Sequence, residues 1–353
     1  FPTRRSSDLV GEIYVGNIAI GGNSPVTIQS MTNTPTQDAK KTVEQILQLE
    51  NEGCELVRVA VSNQFDLAAI KTIKKNIHIP LIVDIQYDHK LAIESIKAGA
   101  DCLRINPGNI GDDECVKKIV KTAKEYHISM RIGSNSGSLS KKFLEKYQKV
   151  CSDAIVESAI EQIHLLESME YYEMKLSLKS SSVPMTMECY EKISKLCDYP
   201  LHLGITEAGP GIDGIIKSSI GIGGLLSQGI GDTIRVSLTD APIEEVKVGK
   251  KILKSLDLYH SGINLISCPT CSRTKIDLIE IVNKAYSKLE KIDASLTIAI
   301  MGCPVNGPGE AREADYGIAG ENGKGIIFKK GHIIRRVAPT RSEERRVGKE
   351  CRS

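Results

Sequence analysis

LVRVAVSNQFDLAAIKTIKKNIHIPLIVDI, residues 56–85, holds two short runs of apolar and β-branched residues, Leu56–Val61 and Leu81–Ile85. Between them lies an amphipathic segment of about the length a covering helix needs, so the stretch reads as strand, helix, strand. The alternation extends both ways, with further runs at Val26–Ser30, Cys102–Asn106, Ser129–Gly133, Met174–Lys179, Leu201–Thr206 and Thr233–Ser237, eight in all. Among the intervening segments, Asp38–Asn51 ends at Gly53, and Ala241–Ser255 has Asp240 as N-cap, Pro242 early and Glu244 and Glu245 in its first turn. Eight βα units without an antiparallel hairpin signal predict a (β/α)₈ barrel, with an open doubly wound sheet as the alternative.

In such a barrel the chemistry sits at the C-terminal strand ends. There the sequence places Arg58, Asp84, Arg104 with Asn106, Arg131 with Asn135, Lys179, Glu207, and Arg235 with Ser237. Five cations from five strands at one mouth repel one another, and a bound polyanion is their natural counter-charge. Phosphate or diphosphate suits the forked donors of arginine. The competing reading pairs each cation with a neighbouring carboxylate. Glycine-rich segments at 106–111, 207–214 and 221–232 offer backbone N–H groups to the same anion. None matches a dinucleotide fingerprint or a nucleotide-binding loop, so neither nicotinamide nor ATP is indicated.

Beyond about residue 258 the pattern changes to a small α+β domain: strand-like GINLISC, a helix over Lys275–Lys291, strand-like LTIAIMGC, then PVNGPGE and a glycine-rich stretch. Cys268 and Cys271 form a CxxC turn, and Cys303 follows another apolar strand. A fourth thiolate or imidazole is lacking, since His260 and His332 are poorly placed, and Glu310 is the nearest oxygen ligand. Three cysteines and a carboxylate suit an iron-sulfur cluster with one labile iron better than a structural zinc site; a zinc half-site or redox dithiol is the minority reading.

FPTRRSSDL (1–9) and RSEERRVGK (341–349) read as translations of opposite strands of one sequencing-adapter segment, so the tails 1–9 and 341–353, with Cys351, are set aside. The remaining body carries 39 cations against 40 anions and nine cysteines. Near-neutrality gives no general case for nucleic acid or a membrane surface. No apolar stretch reaches the roughly 20 residues that span a bilayer. An odd cysteine count over a long chain argues for reduced thiols, and the expectation is a soluble cytoplasmic protein.

VTIQSMTNTPT (26–36), LRINPGNIG (103–111), HLGITEAG (202–209), GIGDTIRVSL (229–238), CPTCSR (268–273) and GCPVNGPGEA (302–311) together resemble the 4-hydroxy-3-methylbut-2-enyl diphosphate synthases of the non-mevalonate isoprenoid pathway. The resemblance spans roughly residues 10 to 335. It implies a TIM barrel over 10–257 and a ferredoxin/sulfite-reductase-like [4Fe–4S] domain over 258–340. The implied reaction is reductive ring opening and dehydroxylation of methylerythritol cyclodiphosphate, with electrons from flavodoxin or ferredoxin. The implied cluster ligands are Cys268, Cys271, Cys303 and Glu310. Arg58, Arg104, Arg131, Lys179, Arg235 and Ser237 would grip the diphosphate, with Asn106, Asn135, Asp84, Glu207 and Asn306 completing the site. Glu207 is the expected proton handler, on the hypothesis that burial raises its pKa. The short form of this family is similar to a head-to-tail homodimer, one chain's cluster domain capping the other's barrel.

This chain departs from the family pattern at Gln86, where His is usual, and at Ser134 and Ser136, where small apolar residues are commoner. Two other readings are carried: a pterin- or phosphate-binding barrel transferase with a structural metal module, and an iron-sulfur sensor of nucleic acid, which the neutral body disfavours.

Overall fold

The computed structural model describes residues 11–259, 261–289, 292, 294–321 and 324–337. The two tails set aside above, Cys351 and His260 lie outside the described residues. The chain divides into two compact units between Leu258 and Tyr259.

The first unit opens with a hairpin, β1 (Ile13–Val15) and β2 (Ile18–Ile20). Eight parallel strands follow: β3 (Thr27–Met31), β4 (Leu56–Ala60), β5 (Leu81–Asp84), β6 (Cys102–Ile105), β7 (Ser129–Asn135), β8 (Met174–Lys179), β9 (His202–Leu203) and β10 (Thr233–Ile234). They pair in the order β8-β7-β6-β5-β4-β3-β10-β9. A parallel bridge between Leu176 and Leu201, with Leu176 N–H donating to Pro200 O at 2.9 Å, joins β8 to the start of β9 and closes the sheet into a barrel. All eight expected strands are present, and the open sheet is excluded.

Several strands stop a residue short of their apolar runs, and two are much shorter. β9 and β10 keep only two ladder residues each, because Gly204 lies flat against its neighbours. A Cβ built there would stand 2.5 Å from Lys179 Nζ and 2.6 Å from Arg235 O. The helix Ala39–Glu52 is capped by Asp38, whose carboxylate accepts Lys41 N–H, and ends at Gly53 with φ 97°; it buries Thr42, Ile46 and Leu49 against the barrel. At Pro242–Ser255 the cap is Ala241, not Asp240 as expected. The Asp240 carboxylate is instead spent on the adjacent Ala241 N–H, at 2.7 Å.

The hairpin, which the sequence reading passed over, covers the N-terminal end of the barrel. Ile13, Val15 and Ile20 form one buried cluster with Leu56, Ile82 and Cys102 from the N-terminal ends of β4, β5 and β6. Each of these hairpin side chains contributes about 1.5–3 kcal/mol by leaving water. The glycine-rich stretch 221–232 also differs from expectation. Up to Leu226 it is helical, with Gly221 packed on Ile205, and its remainder leads into the start of β10, at the opposite end from the expected anion site.

The second unit is a five-stranded sheet ordered β11 (Asn264–Ser267), β12 (Thr297–Met301), β13 (Tyr316–Glu321), β14 (Lys324–Lys329), β15 (His332–Val337). The first three strands are parallel and the last two return antiparallel. The helix Leu278–Leu289 starts three residues later than expected, where the Asp277 carboxylate accepts Glu280 N–H at 3.1 Å. Ala299, Met301, Ala319, Ile326 and Phe328 form the core, and Cys268 packs against it.

Candidate functional site

Partners in a parallel ladder point to the same face, so the register states which side chains share the barrel interior. Asp84 pairs with Arg104, Arg104 with Arg131, and Arg131 with Lys175, while Lys179 pairs with Asn135 and Arg58 with Met31. The five expected cations thus come from β4, β6, β7, β8 and the end of β10 into one interior. Gly133 makes room for them, since a Cβ there would stand 3.1 Å from the Arg104 guanidinium.

Charge is unevenly compensated. Asp84, 6% exposed, holds Arg58 at 3.5 Å and Arg104 at 3.1 Å, and Arg58 also donates to Met31 Sδ from Nε and Nη2. Arg235 leans on Glu245 at 3.4 Å. Arg131 is 2% exposed, and its Nε and Nη1 meet no hydrogen-bond partner among the described residues. Lys179 makes no ion pair among them. The carboxylate-pairing reading therefore holds for three cations and fails for two.

Burial and mutual repulsion leave their mark on the titrations. Burial first, then the other guanidiniums, push Lys179 well below the ordinary lysine range. Burial and Arg104 push Arg131 down to about 10, and burial followed by Arg131 lowers Arg58. Arginine stays protonated at any working pH, so these shifts measure electrostatic strain that an incoming anion relieves. Burial alone would raise Asp84, but Arg58, Arg104 and Arg131 outweigh it and hold the carboxyl below its usual range.

The remaining barrel residues sit as follows. Asn106 is buried, its Oδ1 accepting Gly108 N–H at 3.1 Å; Asn135 and Ser237 are half-buried. Glu207 is exposed, with a left-handed backbone (φ 53°), so the expected burial is not supplied by residues of its own unit. Gln86 is exposed, and Ser134 is buried with its hydroxyl donating to Ile155 O at 3.2 Å, which accommodates the polar substitution.

Three interior residues escaped the sequence reading. Glu245, taken only as a first-turn acid, turns inward: it accepts Leu238 N–H at 3.0 Å and steadies Arg235, while burial raises its pKa. Lys175 and His202 are both fully buried in the interior. The signal for Lys175 was its spacing from Lys179, two strand periods away on the same face.

In the second unit, β11 and β12 run parallel in register, so the loops after them leave the sheet side by side. Gly302 N–H donates to Cys268 Sγ at 3.2 Å. Cys303 follows at once, its thiol donating to Asn306 Oδ1 at 3.2 Å, and Asn306 Nδ2 donates to Glu310 at 2.6 Å. PVNGPGE, read as a loop, forms a wide helical turn over Val305–Glu310, which presents Asn306 and Glu310 on one side. The Arg273 guanidinium feels Cys271 most, and Cys303 and Glu310 as well. Backbone N–H and guanidinium of Arg273 both favour the Cys271 thiolate. Cys268, Asn306 and Glu310 line a cavity of about 470 Å³.

Among the described residues no three His, Cys, Asp or Glu side chains close on a single metal ion. A four-iron cluster asks for something different, one ligand at each iron and hence donors standing apart. Cys271, Cys303 and Glu310 share the field of Arg273, and Cys268 lies against Gly302, next to Cys303, a donor set that fits such a group.

Fold and site together define a class: a closed parallel (β/α)₈ barrel with a polycationic interior, followed by a cysteine-bearing sheet module. Residues 10–250 match the GcpE TIM-barrel domain and residues 264–350 the GcpE protein C-terminal domain, and the chain belongs to the GcpE family. It is 56% identical over 326 residues to a 4-hydroxy-3-methylbut-2-en-1-yl diphosphate synthase (flavodoxin) of Clostridium acetobutylicum, covering 92% of this chain and 93% of that protein. A protein of the same name from Fusobacterium nucleatum is 57% identical, covering 92% of each. Among solved structures, the dihydropteroate synthases of Yersinia pestis and Vibrio fischeri each superpose with a TM-score of 0.50, at 12% and 13% identity. They cover 70% of this chain and 98% and 99% of their own, a likeness of barrel fold alone. The pterin-transferase reading gains nothing further from it.

Proposed function

We propose that Arg58, Arg104, Arg131, Lys179 and Arg235, with Ser237, grip the diphosphate of methylerythritol cyclodiphosphate, and that Asn106, Asn135, Asp84, Glu207 and Asn306 complete its site. The chain carries out the reductive ring opening and dehydroxylation of that substrate to 4-hydroxy-3-methylbut-2-enyl diphosphate. The observation that carries the assignment is the pair of buried cations, Arg131 and Lys179, left without a carboxylate inside a barrel that already uses Asp84 and Glu245 on the other three. Leaving such charge uncompensated is costly, and two phosphates offset it.

Cys268, Cys271, Cys303 and Glu310 would hold the [4Fe–4S] cluster, which when bound supplies the two electrons one at a time. Asn306 holds Glu310 in place through its amide. Glu207 is the group we assign to the proton that leaves with the hydroxyl as water. Its exposure is consistent with a site completed by a second subunit, in a head-to-tail homodimer whose cluster domain (258–340) covers the partner's barrel (10–257). Electrons come from flavodoxin or ferredoxin, in the cytoplasm; no helix among the described residues is long and apolar enough to cross a membrane.

The test is anaerobic electron paramagnetic resonance with iron and zinc analysis, on the wild type and Cys303→Ala, before and after adding the cyclodiphosphate. A signal that requires Cys303 and changes with substrate is expected. Stoichiometric zinc after anaerobic iron-sulfur reconstitution, with no substrate-responsive signal, would return the cysteines to a structural role.

A further inference from the structure

Below the row of arginines the barrel interior holds a set of buried polar side chains that the assignment above does not use. Lys175, near the start of β8, is 0% exposed, and its Nζ meets no hydrogen-bond partner among the described residues. The same is true of both amide atoms of Gln29 on β3, Oγ of Ser129 on β7 and Nε2 of His202 on β9. His202 is fixed from its other side, Nδ1 lying 2.6 Å from Thr233 Oγ1. A buried ammonium without a hydrogen-bond partner among the described residues is unusual, because no hydrogen bond there repays its lost hydration.

The groups around it pull in opposite directions. Arg131, its ladder partner on β7, repels it, and Cys102 on β6 is the group that opposes this. His202 is itself driven well below its ordinary range by burial and by Lys179, Arg131 and Lys175, so it stays neutral. Of the other interior charges, Asp84 on β5 is engaged by Arg58 on β4 and Arg104 on β6, and Arg235 is engaged by Glu245. Burial is the main cause that brings the Lys175 ammonium down to about 8; Cys102 works against it, and Arg131 adds a smaller push downward. A change at Arg131, its neighbour in the ladder, therefore alters one of the two influences that disfavour the charged form.

We propose that Lys175 is a proton-binding group coupled to the anion site: it takes up a proton when a phosphate group settles on Arg131 and gives it back when the site empties. The physical link is direct. An anion at Arg131 cancels the repulsion that Lys175 feels and favours its charged form. Coupling is reciprocal, so a protonated Lys175 strengthens anion binding by the same factor that the anion strengthens proton binding. The proposal rests on the reading of the cation set as the diphosphate site.

The experiment is calorimetric titration of the cluster-loaded, oxidised protein with methylerythritol cyclodiphosphate and no electron donor, at pH 8.5 in two buffers of different ionisation enthalpy. Each phosphorus of the ring keeps one strongly acidic oxygen, so the ligand carries no titrating proton at that pH. The wild type is expected to take up on the order of half a proton more than Lys175→Met or the permanently charged Lys175→Arg. Equal proton uptake in wild type and variants overturns the coupling and leaves the diphosphate site standing. Absence of binding by the wild type overturns the diphosphate site, and the coupling with it. Should both variants fail to fold, the wild type decides: its affinity must weaken as pH rises from 7.5 to 9.5, and a flat profile refutes the proposal.

Discussion

Asp84→Asn tests the electrostatic reading of the barrel more sharply than removal of any single cation. Asp84 is the carboxylate shared by Arg58 and Arg104, at 3.5 and 3.1 Å, with its side chain almost excluded from solvent. Asparagine keeps the shape and one acceptor but strands two buried guanidiniums. Breaking a buried pair from one side costs about 3–5 kcal/mol, and asparagine's remaining acceptor places the loss near the lower figure. For a domain of this size, 1 kcal/mol moves the melting temperature by about 2–4 °C, so a fall of roughly 10 °C is expected by calorimetry or circular dichroism without ligand. Affinity should move the other way, because Asp84 competes with phosphate for the same guanidiniums. A ligand at 100 times its Kd stabilises by about 2.7 kcal/mol, and the cyclodiphosphate should therefore raise the variant's melting temperature by more than the wild type's. A variant that melts with the wild type in the absence of anions would refute the argument that Asp84 compensates these arginines. Acid gives an independent check of sign. The folded-state pKa of Asp84 is lowered, so its contribution is complete above the unfolded carboxylate value of about 3.9 and is lost as pH falls through the folded value.

Gly204→Ala should displace Lys179, since the added Cβ meets its Nζ at 2.5 Å; weaker cyclodiphosphate binding by roughly tenfold, with little change in cluster content, is the expected calorimetric and spectroscopic result. Glu245→Gln loosens Arg235 and should raise KM for the cyclodiphosphate several-fold more than it lowers kcat, as befits a residue that acts through its neighbour. Lys175→Met should stabilise the protein near neutral pH. A shift from 10.5 to about 8 corresponds to about 3 kcal/mol by which the folded state disfavours the ammonium. Below about pH 8 both states are protonated and the folded state bears that cost in full. Between 8 and 10.5 only the folded state sheds the proton, wild-type stability rises, and the advantage of Lys175→Met should fade in chemical denaturation across that range.

The eight barrel strands were legible because each is buried on its outer face beneath a helix, which demands apolar residues on that face, as at Val57 and Val59 or at Met174, Leu176 and Leu178. Strand ends were less so. Nothing in GITEAG (204–209) announces that Gly204 must press against Lys179 where the ladder ends at Leu203. The hairpin over Ile13–Ile20 did have its signal, Gly16-Asn17 between two alternating triplets, but three-residue strands are too short for periodicity to speak. The cation set could be named residue by residue from strand-end position. Which cations share a carboxylate could not, because Asp84 and Arg104, or Arg235 and Glu245, are brought together by ladder register and helix docking rather than by spacing. Lys175 was hidden for the same reason: a lysine opening a strand reads as solvated until the closed barrel shows that its side points inward. The cysteine loops were the easiest part, since two strands ending in Cys need only be parallel neighbours to bring their loops together.

The hairpin at the barrel's floor has a bearing on traffic. Val15 and Ile20, both fully buried, plug the end away from the strand tips, so a molecule held by the arginines enters and leaves past the loops that follow the strands. Substrate and product then share one doorway and one set of cations. A departing diphosphate must clear that passage before the next ring can enter, so the product should act as a strictly competitive inhibitor, and exchange should be sequential even at saturating supply.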